Sequence, residues 1–217
     1  MKLYRIFSGG GKILHIGCCD HLALIDAKVR NHTWLHGLLD EACDEVIGID
    51  INKEAVDYIN SRNYSRQKII CADVTQDDIS VDIAAFDYVL LGDVIEHVDN
   101  PVYFLEKLRE NLAKSGFVGK YVISTPNAFT FLKGIYKQGI EGINSDHRYW
   151  FTPYTLAKVM YNAGIEPLEY FFADYATGNN TDNRFINLAL RVYRKLTGKA
   201  SSYKSFQGGQ MVVVGIA

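Results

Sequence analysis

The chain has 217 residues, is 48% apolar and 22% charged, and carries a formal net charge of −2. Those numbers describe a globular protein of one large α/β domain or two small ones, without the basic footprint of a nucleic-acid binder. No apolar run approaches the ~20 residues of a membrane span, and the opening MKLYRIFSGGGK is too short and polar for a secretory signal, so a cytoplasmic protein is expected.

Apolar runs alternate with helix-period stretches, the pattern of a parallel sheet with crossover helices. The glycines at 9–11 precede the first strand and are followed by no Gly-Lys-Ser/Thr, so they read as a lead-in, not a phosphate loop. Residues 12–17 (KILHIG) form strand one. Residues 21–42 are helical, with Leu22, Ile25 and Val29 on one face and Trp34, Leu35, Leu38, Leu39 and Ala42 on another, which predicts a bent or double helix. Residues 46–50 (VIGID) form strand two, and Asn52 caps a short helix bearing Ala55, Val56 and Ile59. Strand three spans 68–71 and strand four 88–91. Pro101 opens a helix with Leu105, Leu108 and Leu112 on one face, closed at Ser115-Gly116.

Strand five spans 117–124. A Gly-punctuated aromatic segment, 129–150, has the composition of a lid or substrate wall. Thr152-Pro153 opens a helix that Gly164 closes, and 169–172 form strand six. Residues 173–209 read as an insertion with a helix over 182–196. The final strand, 211–216, is free to enter antiparallel. The sum is one α/β domain over 1–217: a Rossmann-like, seven-stranded, mostly parallel sheet with helices on both faces.

Chemistry gathers at the carboxyl ends of the strands, where open α/β sheets bind ligands. Gly17 stands in the loop after strand one, where backbone approaches a nucleotide. Asp50 ends strand two, where an acid takes ribose hydroxyls, and Asp73 follows strand three. The phrase FDYVLLGDVIEHVDNP (86–101) leaves its apolar run at Gly92 for Asp93, Glu96, His97 and Asp99. One acid at a strand end is ordinary turn chemistry. Acids at three successive strand ends, with this phrase, point to a nucleotide site.

Phrase 86–101 closely resembles the fourth strand and following loop of class I S-adenosylmethionine (SAM) methyltransferases, especially those related to the quinone-biosynthesis enzymes. SDHRYWFTP (145–153) resembles the segment before their sixth helix, where a histidine often faces the active site. The resemblance spans residues 12–172. It implies SAM as cofactor, held by Gly17, Cys18, Asp20, Asp50, Ile51, Asp73, Val74, Gly92 and Asp93, with Asp73 against the adenine amino group. It also implies His147 and His97 as candidate catalytic bases and a small-molecule or saccharide acceptor. Asn127, after strand five, suits either a substrate contact or a turn cap.

The first loop, HIGCCDH, departs from the family's acid-x-Gly-x-Gly-x-Gly: His15 replaces the acid, Cys19 the second glycine and His21 the third. This wording is similar to that of a methyltransferase-like subgroup linked to surface-polysaccharide synthesis. Gly17 and Asp50 stand 33 residues apart, against about 20 in the dinucleotide fingerprint, so the crossover is enlarged. That length and the missing Gly-x-Gly-x-x-Gly weigh against the alternative of a nicotinamide-dependent oxidoreductase. His15 and Cys19 are the best support for another, a non-catalytic relative that has lost the cofactor. The cluster His15, Cys18, Cys19 and His21 lacks a second ligand pair at metal-site spacing, and the four cysteines suggest no disulfide framework, so no metal is expected. The helix at 182–196 suits docking on the core better than contact with a membrane or a lipid-linked substrate.

Overall fold

Strands covered on both faces need continuous apolar runs, and these runs build the sheet. The computed structural model describes residues 7, 10–79, 81–129, 144–173 and 209–217. In chain order the elements are β1 (Lys12–Ile16), α1 (Leu22–Arg30), α2 (Leu35–Ala42), β2 (Glu45–Asp50), α3 (Lys53–Arg62), β3 (Ile70–Cys71), β4 (Tyr88–Gly92), α4 (Pro101–Lys114), β5 (Lys120–Pro126), α5 (Pro153–Asn162), β6 (Glu166–Ala173) and β7 (Gln210–Ile216). The strands form one seven-stranded sheet in the order β3-β2-β1-β4-β5-β7-β6. β7 runs antiparallel to both its neighbours, and the pairs among β1 to β5 are parallel. Most of segment 129–150, and the insertion with its helix at 182–196, lie outside the described residues.

Alternation along each strand divides the core. Leu14, Ile16, Leu91, Ile123 and Val213 face α4 and α5, where Leu105, Leu108, Leu112, Leu156 and Met160 are buried. Ile13, Val46, Leu90, Val122 and Val212 face the other way, against Leu39 of α2. The enlarged first crossover resolves into two helices, α1 and α2. Asn52 Oδ1 accepts the Ala55 N–H at 3.1 Å, and Asn100 caps α4 in the same way. A capping box between Thr152 and Thr155 starts α5.

Every strand shifts at one end or both from the sequence reading, and the larger shifts have tertiary reasons. β1 ends at Ile16, because Gly17 already turns with φ +69. β3 is only two residues long: the Asn60 side chain takes both the N–H and the C=O of Ile69, which removes them from the ladder. β5 starts at Lys120 and runs on to Pro126, because β7 pairs with Thr125 and Pro126. Phe117 is core but not strand, packing edge-on against Tyr121. β6 begins at Glu166 rather than 169, because Glu166 and Pro167 pair with Ile216 and Gly215 of β7. Pro167 sits at a register shift in β6, an edge strand that tolerates a missing N–H.

Leu108 is fully buried between α4 and the sheet. Leu108→Ala is expected to lower unfolding stability by about 2–5 kcal/mol. Denaturant titration checks this, with the midpoint falling and the slope unchanged.

Candidate functional site

Register aligns the strand ends. Ile16 pairs with both Ile49 and Leu91, so Gly17, Asp50 and Gly92 arrive at one rim. Above them lies a cleft of about 820 Å³, within the range of small-ligand sites. It is lined by Gly17, Cys18 and Asp20 from the β1 loop and by Asp50 and Ile51 from the end of β2. Asp73 and Val74 follow β3, Gly92 and Asp93 end β4, His97 lies in the turn beyond, and His147 comes from the segment before α5. Residues 15 to 147 in sequence thus meet at one place.

The β1 loop keeps its first glycine for a steric reason. At φ +69, a Cβ on Gly17 would lie 2.4 Å from Val94 Cγ2. The Gly17 N–H donates to the Ile49 carbonyl at 2.8 Å. Cys18 and Cys19 are each 2% exposed and pack with Ile25, Trp34, Val56 and Ile69. A thiol is small and apolar enough for that burial, so the lost glycine does not plug the cleft. Trp34 Nε1 donates to the Cys18 carbonyl at 2.8 Å. Asp20 has φ +36, accepts the His21 N–H at 2.7 Å and pairs with Lys28.

Asp50 holds two loops at once. Its Oδ2 accepts the Cys19 N–H and its Oδ1 the Asn52 N–H, both at 2.9 Å. Asp73 braces its own turn, accepting from the Thr75 hydroxyl at 2.6 Å and from Gln76 Nε2 at 2.7 Å. Burial opposes its ionisation, but these bonds together outweigh it and hold the carboxyl below its usual range. Asp93 has φ +57 and accepts from Gln210 of β7.

His15 and His36 form a buried pair, Nδ1 to Nδ1 at 3.2 Å. Burial lowers both imidazoles, His15 well below its usual value and His36 to about 4. His36 Nε2 lies 3.0 Å from Ser65 Oγ, which donates to Asp40 Oδ2 at 2.8 Å. His15 Nε2 has no partner among the described residues.

The far end of the cleft is more polar. Glu96 is fully buried; Oε2 accepts from the Thr125 hydroxyl at 3.0 Å, and Oε1 has no partner among the described residues. Burial first, then the charge of Asp93, pushes its carboxyl up to about 8, so it is protonated at neutral pH. His97 donates from Nδ1 to the Asp146 carbonyl at 3.1 Å, which leaves Nε2 as an acceptor. Its ring meets that of His147 edge-on at 4.7 Å. Burial and the neighbouring His97 hold His147 below the usual histidine value. The 144–151 segment is tied down by the Glu96 carbonyl, which accepts the Arg148 N–H at 2.7 Å. Asn127 lies outside the cleft lining; it is fully buried and caps the Phe129 N–H, the turn role.

Two sets of metal-capable atoms lie within 4.8 Å of one another: Cys18, Cys19 and Asp50, and Glu96, His97 and His147. The first suits a cation poorly, because burial pushes the Cys18 thiol well above its usual value. The second, two imidazoles and a carboxylate, is a chemically suitable donor set. Sequence reading missed His36, Ser65, Thr125 and Gln210. Each acts through a partner more than twenty residues away in the chain, so no local pattern marks it.

Residues 30–119 match the family model described as "Methyltransferase domain". No curated protein matches the chain. Among solved structures, a SAM-dependent methyltransferase from Archaeoglobus fulgidus superposes with a TM-score of 0.53 at 17% identity, over 97% of this chain and 88% of that one. The methyltransferase domain of a bacterial CtHen1 gives 0.55 at 16%, over 99% and 95%. Magnesium protoporphyrin IX methyltransferase from Synechocystis PCC 6803, solved with bound S-adenosylhomocysteine, gives 0.54 at 14%, over 95% and 74%. The fold is theirs. Among the described residues, no helix is long and apolar enough to cross a membrane.

Glu96 provides a pH test. Between its ordinary value of 4.5 and about 8, the folded chain holds a proton that the unfolded chain releases. Stability contributed here is therefore present in full below pH 4.5 and lost as pH rises to about 8, by at most a few kcal/mol. Glu96→Gln is expected to lack this slope. Denaturation of both proteins across that window checks it; parallel curves would mean an ordinary carboxylate.

Proposed function

We infer that this chain is a class I SAM-dependent methyltransferase that binds SAM in the rim cleft and methylates a small-molecule or saccharide acceptor. The observation that carries the reading is Asp50. Its carboxylate ends β2 at the edge of a cleft of nucleoside size, with each oxygen committed to only one backbone N–H. Lone pairs remain there for two ribose hydroxyls. Beside it Ile51 is 70% exposed, an apolar side chain left in the open at a cleft wall, and Val74 lines the wall at the neighbouring strand end. These two suit the faces of an adenine ring, with Asp73 near its amino group.

SAM supplies a sulfonium-activated methyl group when bound, so the protein's task is positioning and proton handling. Glu96, His97 and His147 do the second. The neutral imidazole of His147 and the free Nε2 of His97 are bases for a hydroxyl or amine proton, and protonated Glu96 is a donor to an acceptor oxygen. A hydroxyl-bearing acceptor such as a saccharide suits this polar end. The same three side chains have a second reading as a divalent-cation site, favoured by the unpartnered, buried Glu96 Oε1.

Calorimetry with SAM and S-adenosylhomocysteine tests the cofactor. Binding is expected, weakened at least about tenfold by Asp50→Ala; no heat with either ligand would sink the reading. With a turned-over acceptor, His147→Ala should lower kcat while leaving S-adenosylhomocysteine affinity unchanged. A rise in thermal stability with Mn²⁺, absent in Glu96→Gln, would favour the cation.

A further inference from the structure

We propose that His15 is a cofactor-binding residue whose Nε2 accepts a hydrogen bond from the ammonium of the cofactor's amino-acid end, in a tautomer imposed by His36, Ser65 and Asp40. This rests on the SAM reading above.

The tautomer follows from the hydrogen-bond chain. Asp40 Oδ2 accepts from the Ser65 hydroxyl and from the Arg66 N–H. With its one proton spent on Asp40, Ser65 Oγ must accept at 3.0 Å, so His36 Nε2 carries a hydrogen. Buried and uncharged, His36 then has a bare Nδ1. That nitrogen can only accept from His15 Nδ1, 3.2 Å away. His15 is left with its hydrogen on Nδ1 and a lone pair on Nε2. The direction runs from the buried Asp40 carboxylate to the cleft wall.

The lone pair has no partner among the described residues, on a side chain only 1% exposed that lines the cleft. A buried unmet acceptor is unfavourable unless a ligand or an ordered water completes it. The surrounding sequence is cut to fit the two rings. A Cβ on Gly48 would lie 2.8 Å from His36 Cε1, and one on Gly92 would lie 3.3 Å from His15 Nε2. Glycines on the strands either side of β1 therefore make room for the pair.

Position selects the ligand atom. In the strand order β3-β2-β1-β4, an adenine beside Asp73 and a ribose on Asp50 would carry the other end of the cofactor over β1, where His15 stands beside Gly92 of β4. Beyond its adenosine, SAM has one hydrogen-bond donor, its ammonium. An acidic side chain would attract that cation by charge; a neutral imidazole receives it as a hydrogen-bond acceptor, without burying a carboxylate in the sheet.

The test compares S-adenosylhomocysteine with 5′-methylthioadenosine, which lacks the amino-acid end. His15→Leu is expected to weaken the first about tenfold and leave the second within about twofold. Ser65→Ala, outside the cleft lining, should shift the same ratio in the same direction by a smaller factor, as a positioning residue. On wild-type protein with ¹⁵N-labelled histidine, His15 Nε2 should resonate as an unprotonated nitrogen and move with S-adenosylhomocysteine but not with methylthioadenosine. Equal losses for both ligands, or an Nε2 signal unmoved by saturating S-adenosylhomocysteine, would overturn the assignment while leaving the cofactor in place. Wild-type protein that binds neither ligand would remove the cofactor reading and this one with it.

Discussion

Two of the loops that frame the cleft hang on the carboxylate of Asp50. One oxygen holds the β1 loop through Cys19 and the other holds the start of α3 through Asn52. Backbone N–H groups bonded to a charged acceptor form strong, short bonds, and here they join segments 31 residues apart. The parallel sheet brings the strand ends to one edge, and Asp50 then sets the spacing between them. A ligand that meets this rim finds loops already in place and does not have to order them.

Around that anchor, the chain replaces the usual glycine turn with a different solution of the same problem. Glycine is kept only at residue 17, where φ and Val94 leave no alternative. Further along, backbone close to the cleft is retained by sinking two small thiols into the α1–α3 side of the core. The polar residue at position 15 is accommodated by omitting side chains at Gly48 and Gly92 and by a hydrogen-bond chain that ends on a carboxylate. Loop, flanking strands and α2 therefore form one consistent arrangement.

The opposite end depends on contacts between the β4 loop and the segment before α5. Arg148 and Tyr149 donate backbone N–H groups to the Glu96 carbonyl, the Tyr149 hydroxyl donates to the Asp99 carbonyl at 2.7 Å, and His97 grips Asp146. The Arg148–Asp99 ion pair is exposed and adds little. Backbone bonds do most of the holding, so they depend on the path of the chain more than on side-chain identity. They bring two histidines and a buried glutamic acid within reach of one acceptor.

Much of the fold was legible because it is written in local periods. Apolar strand runs, the Asn52 cap, the helix starts at Pro101 and Thr152-Pro153, and acids at strand ends all lie within a few residues of the structure they specify, and the seven-stranded sheet, its helices and the shared rim of Gly17, Asp50 and Asp93 follow from them. The rest depends on partners far apart in the chain. Asn60 shortens β3 and β7 lengthens β5, and neither effect has a local signal. The packing of Cys18 and Cys19 into the core beneath the cleft wall, the proton order of the His15–His36 pair and the elevated carboxyl of Glu96 were decided by tertiary structure alone. Packing density, dielectric and hydrogen-bond direction belong to the assembled surroundings of a residue, which spacing along the chain does not encode.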